Sequence, residues 1–175
     1  MKRLLGLTLL LTCLWAHAET TIPDMKFKRL DTRDGLSNST INCIYQDSKG
    51  YVWIGTSYGL NRYDGYRFRT YYSDPNDTTT LRNNYVDQIF EDAMGRLWLR
   101  QGMNYSLFDP ATERTERNPS RQLKAYGVIG NIDRFYIDSQ RNIWVKTYDE
   151  GLYCNVPGRR KHTLTKYGYE EGMLP

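Results

Sequence analysis

Three aspartates each stand six residues ahead of a tryptophan: Asp47 and Trp53, Asp92 and Trp98, Asp138 and Trp144. A ring at a fixed place could stack on a sugar, but recurrence at every copy is more simply explained by core packing. Arg100 and Lys146 each follow a tryptophan by two residues, where Gly55 follows the first, and such cations could meet an acidic ligand. The acid pairs Glu113 with Glu116 and Glu170 with Glu171 could do proton-transfer chemistry. They lie in polar stretches at no spacing that a sheet would focus into a pocket, and read as solvated faces. His162 sits in the basic stretch "RRKHT" with no second histidine or cysteine nearby, so no metal site is expected. The "DSKG" turn lacks the alternating oxygens of a calcium loop and does not form a phosphate loop. No cofactor is implied.

The elements that must position these residues repeat as well. The tryptophans are 45 and 46 residues apart, and so are the aspartates. Ahead of each aspartate lies a strand-like run with matching apolar positions: Ile41, Ile44 and Tyr45; Val86, Ile89 and Phe90; Ile132, Phe135 and Tyr136. Asp47 and Gly50, and again Asp92 and Gly95, suit a tight turn in which the carboxylate bonds nearby backbone and glycine takes positive φ. In the third copy Arg141 stands in glycine's place, and Asn142 is expected to take the left-handed conformation or the turn to lengthen. The tryptophans open a second strand in "YVWI", "RLWL" and "NIWV". Gly59 and Leu60 with Tyr63 and Asp64 mark a third, and "FRTYY" from Phe68 a fourth. Four short antiparallel strands per 45 or so residues match a β-propeller blade.

The fold expected is therefore all-β, a partial propeller of about three four-stranded antiparallel blades, truncated before ring closure. Residues 40–84, 85–131 and 132–165 are the expected blades. A lead-in with an extra strand occupies 19–39, and 166–175, which resemble Leu30 to Asn38, lead toward a fourth blade that the chain lacks. Residues 1–18 read as a signal peptide: Lys2 and Arg3, an apolar run from Leu4 to Trp15, then an A-x-A site with cleavage after Ala18. The apolar run is too short to span a bilayer. Composition agrees with a globular exported chain, 39% hydrophobic and so able to bury a core. The net charge of +4 falls to +2 without Lys2 and Arg3, and its scatter argues against nucleic acid as a partner. Cys43 and Cys154 remain after cleavage. With a blade between them they are expected to be free, buried thiols, since a disulfide needs Cα atoms within about 7 Å.

The stretch "GLSNSTINCIYQDSKGYVWIGTSYGLNRYDG" resembles the two-component regulator propeller repeat, found in the periplasmic sensors of bacterial hybrid two-component systems. Later copies drift: Arg100 and Lys146 replace Gly55, Gln101 replaces Thr56, and Asn104 and Tyr105 replace Gly59 and Leu60. The resemblance implies a longer inner-membrane parent with further blades, a membrane helix, a histidine kinase and a receiver, and an oligosaccharide released from glycans as the ligand. It makes this chain a sensor segment and not an enzyme.

Two other functions compete. "YQDSKGYVW" is similar to the Asp-box of sialidases, but three blades cannot encircle a catalytic site. A scaffold that presents its blades to another protein is the second alternative. On the sensor reading Arg100 and Lys146 are the candidate ligand residues, pointing into a channel or onto a rim, against the favoured reading that they cap strand ends in solvent. The isolated chain is expected to self-associate and to bind no oligosaccharide until the remaining blades complete the pocket. Trp98 is expected to be the most enclosed tryptophan, because only the second blade has neighbours on both sides.

Overall fold

A computed structural model describes residues 25–125, 127–140, 142–155 and 164–167. Its described strands form three four-stranded antiparallel meanders, and none closes on itself. The first holds β1 (Ile41–Gln46), β2 (Val52–Thr56), β3 (Gly59–Tyr63) and β4 (Phe68–Tyr71). The second holds β5 (Gln88–Glu91), β6 (Leu97–Gln101), β7 (Asn104–Asp109) and β8 (Arg114–Glu116). The third holds β9 (Ile132–Ile137), β10 (Ile143–Thr147), β11 (Gly151–Asn155) and β12 (Leu164–Tyr167), so its last strand runs two residues past the expected boundary. These are the three blades. Residues 1–18, expected to be a signal peptide, together with His162 and residues 168–175, lie outside the described residues.

Of the expected lead-in, residues 19–24 lie outside the described residues, and 25–39 hold no strand, only a 3-10 turn at Thr32–Asp34 capped by Asp31, whose carboxylate accepts from the Arg33 N–H. The connector between the second and third blades holds a short helix, α1 (Ser120–Ala125), which the strand-dominated pattern did not foretell.

Packing between blades follows one rule. At the first seam Trp53 and Leu60 of blade one meet Ile89, Leu97, Leu99 and Phe108 of blade two. At the second, Trp98 and Leu107 of blade two meet Phe135, Ile137, Val145 and Tyr153 of blade three. Each blade thus offers a tryptophan face forward and receives the previous blade's on its other face. β1 lies beside β5 and β5 beside β9, so the first strands share one edge of the row, as the inner strands of propeller blades do.

This rule corrects the ranking of the tryptophans. Trp53 and Trp98 are both fully buried, while Trp144 is only half-buried. Having two neighbouring blades does not distinguish Trp98, because a tryptophan needs only the blade in front of it. Phe108 meets the Trp53 ring edge-on at 5.6 Å, and Phe135 stacks on Trp98 at 4.3 Å. Buried rings of this kind cannot serve as sugar platforms.

Candidate functional site

The repeated aspartates do more than shape a turn. The Asp47 carboxylate accepts from the backbone N–H groups of Lys49 and Tyr51, and its second oxygen from the Trp53 indole N–H at 2.7 Å. Asp92 does the same for Met94, Arg96 and, at 3.3 Å, the Trp98 indole. Asp138 accepts from Gln140, Asn142 and, at 3.0 Å, the Trp144 indole. One carboxylate therefore satisfies both the hairpin turn and the buried ring of its own blade. The six-residue spacing was the available signal for this bond. The three aspartates and the rings they hold are structural, and they are spent on the fold.

The third turn stays in register without a left-handed asparagine. Asp138 N–H donates to the Asn142 carbonyl just as Asp47 does to Tyr51 and Asp92 to Arg96. Among the described residues Glu113 is the one non-glycine with positive φ, so Asn142 does not absorb the left-handed conformation. Its side chain instead donates to the second Asp138 oxygen at 3.0 Å. Gly50 and Gly95 do take positive φ, 88° and 76°, as their turns require.

Arg100 and Lys146, the cations chosen from the sequence, each meet an aspartate on the first strand side of their own blade. Arg100 donates to one Asp87 oxygen at 2.6 and 2.8 Å, and Lys146 to Asp133 at 2.6 Å. The Asp87 contact raises the Arg100 pKa, and Lys146 holds the Asp133 carboxyl below its ordinary value. The other Asp87 oxygen is buried without a hydrogen-bond partner. In blade one the same two places hold Gly55 and Asn42. There a Cβ would lie 2.6 Å from the Cys43 sulfur and 2.7 Å from the Val86 carbonyl, so the connector into blade two runs too close for any side chain. Asn42 donates to that same carbonyl at 3.1 Å. What read as drift is an exchange of a close backbone crossing for an ion pair.

A second cationic group escaped the sequence reading. Arg62 on β3 and Arg69 on β4 are register partners, and with Asp64, Arg67 and Phe68 they line a cavity of about 280 Å³. Like charges directly opposite on neighbouring strands repel. Glu113, from the β7–β8 turn of blade two, reaches across the seam, forming an ion pair with Arg69 and accepting from the Tyr71 hydroxyl at 3.0 Å. Arg62 lies 4.8 Å from the Tyr51 ring centroid and 4.0 Å from the nearer Glu113 oxygen. The signal was present in "NRYDGYRFR", where three arginines flank a D-G turn.

The seams carry further polar ties. Ser48, in the first turn of blade one, donates its N–H and hydroxyl to the buried Glu91 of blade two at 2.9 and 2.5 Å. The Phe135 N–H of blade three donates to the Tyr105 hydroxyl of blade two at 3.1 Å. Cys43 and Cys154 are not bonded to each other, and burial pushes the Cys43 thiol up to about 11. Among the described residues no group of histidine, cysteine and acidic side chains could hold a metal, and no helix is long and apolar enough to cross a membrane.

Several known proteins are similar to parts of this chain. Residues 35–58 match the family model described as two component regulator propeller. The chain is 44% identical over 55 residues to histidine kinase P4 of Formosa agariphila, an alignment covering 31% of the chain and 4% of that protein. It is similar to the extracellular domain described as that of a one-component system of B. thetaiotaomicron, with 29% identity and a TM-score of 0.48, covering 75% of this chain and 19% of that one. An extracellular domain described as that of a hybrid two-component system of the same organism follows, with 18% identity and a TM-score of 0.37, covering 81% and 26%. The chain thus spans a small fraction of each relative's length. The segment matching the propeller model runs from just after the 3-10 turn through β1 and β2 of blade one.

Proposed function

We propose that this chain is an extracytoplasmic ligand-sensing segment of a two-component signalling protein, exported with cleavage after Ala18, and that its ligand is a glycan-derived oligosaccharide. The carrying observation is the carboxylate-to-indole bond repeated in three blades, the first of which coincides with the matched segment. In each blade the acid is committed to two backbone donors and its own indole, a structural use that supports binding over turnover. Further blades are the natural continuation of the forward-facing rule, and the membrane anchor, kinase and receiver belong to the parent protein. The test is calorimetry of the longer gene product that contains this chain against neutral and acidic oligosaccharides, with kinase autophosphorylation read beside it. Saturable binding that changes phosphorylation is expected. Turnover of a glycan by the purified protein, or binding that leaves phosphorylation unchanged, would overturn the reading.

A further inference from the structure

The cavity at the outer end of blade one is built for a charge that the chain itself supplies only in part. Its lining carries Arg62, Arg67 and Arg69 against the single carboxylate of Asp64, and Glu113 adjoins it. Glu113 uses its two oxygens on Arg69 and Tyr71. Among the described residues the Arg62 guanidinium donates no hydrogen bond, although only 21% of its side chain is exposed; it stands beside the Tyr51 and Trp53 rings and 4.0 Å from Glu113. Arg67 meets only Asp64, at 3.5 Å, with 87% of its side chain in solvent. Asp64 in turn is occupied by the Tyr66 and Arg67 backbone N–H groups at 2.9 and 2.8 Å, which fix the turn.

Three guanidiniums thus face one cavity with donors to spare, and two are held in place by aromatic rings. A guanidinium presents a rigid fork of donors matched to the oxygens of a carboxylate or sulfate, and stacking fixes that fork before the ligand arrives. Phe68 adds an apolar wall, suited to the carbon face of a sugar ring that bears such a group. We propose that this cavity is an anion site taking a sulfate or carboxylate group, with an acidic saccharide as its source. The saccharide rests on the sensor reading above; the anion site does not. It lies within blade one and the rim of blade two, so unlike the pocket expected from ring closure it needs no further blades.

The full chain is titrated at constant ionic strength with sodium sulfate, a galacturonate trisaccharide, a sulfated galactose disaccharide and their uncharged counterparts. The same titrations follow on Arg67→Gln combined with Arg69→Gln, and on Lys49→Gln as a control for net charge. Saturable binding of the charged ligands, weakened at least tenfold in the arginine variant and unchanged in Lys49→Gln, is expected. Sulfate binding without preference for either charged saccharide would keep the anion site and make a free anion its source. Binding of charged and neutral saccharides alike, unaffected by the arginine changes, would overturn the cavity and leave the sensor reading standing. No saturable binding of any charged ligand would overturn the cavity. Thermal unfolding of each variant separates lost binding from lost folding.

Discussion

At the scale of single residues, the Asp47 carboxylate is the most exacting side chain in the first blade. Removing it strands the buried Trp53 indole N–H and two turn donors, and each buried donor left without a partner costs about 1–3 kcal/mol. Asp47→Ala is expected to destabilise the chain by about 3 kcal/mol in denaturant unfolding, whereas Lys49→Ala, in the same turn and exposed, is expected to be near neutral. Asp138 gives the same clasp a pH dependence. The Trp144 indole hydrogen bond lowers its pKa, helped by the Asn142 and Gln140 donors against the opposing effect of burial. With the folded pKa below the unfolded one, the contribution is complete above the ordinary carboxylate range and is lost as pH falls through the folded value. The stability gap between the parent chain and Asp138→Asn is therefore expected to be widest above pH 5 and to close in acid, as thermal unfolding at stepped pH would show. A gap that widens in acid would reverse the assignment. From sequence the aspartates and tryptophans were legible as a spaced pair. The bond joining them was not read, because a turn alone already accounted for the acid.

At the scale of strands and seams, what one blade leaves bare the next covers. Trp98→Ala should cost about 3–5 kcal/mol, since it empties a fully enclosed ring site. Trp53→Ala should cost about the same, and Trp144→Ala less, about 1–2 kcal/mol, because that ring is only partly buried. Equal losses at all three, measured by urea unfolding, would contradict the one-sided packing. The period of the repeat and the four strands of each copy could be read from spacing because they depend on local alternation and turn chemistry. The ties of Arg100 to Asp87 and Lys146 to Asp133 were hidden thirteen residues upstream, just ahead of β5 in one blade and on β9 in the other. Ser48 with Glu91, and Glu113 with Arg69, were hidden further still, 43 and 44 residues apart and across a seam. Such contacts depend on how two sheets are set against each other, which no single strand encodes.

At the scale of the whole molecule, the two outer faces of the described sheets each leave large apolar side chains exposed. Ile44 is the counterpart of the buried Ile89 and Phe135, yet it is 65% exposed, and Ile41 beside it is 45% exposed. On the far side Tyr136 is 55% exposed and Trp144 half-buried, where Tyr45 and Phe90 are half-buried and Trp53 and Trp98 fully covered in the earlier blades. Purified as this chain, the protein is expected to associate head to tail through these faces, and Ile44→Asp to shift it toward monomer in light scattering. A monomer at all concentrations, or association indifferent to Ile44→Asp, would show that the bare faces do not seek each other. The two kinds of bond also differ in what duplication of a gene segment would do to them. A copy of 45 or so residues carries its own carboxylate-to-indole clasp wherever it is inserted, so each new repeat arrives able to fold its hairpin. The seam pairs are divided between copies, so every insertion or deletion of a repeat breaks one set of partners and joins strangers. Growth and loss of repeats in such a chain is therefore constrained at the junctions, where new neighbours must be matched, and not inside the unit that is copied.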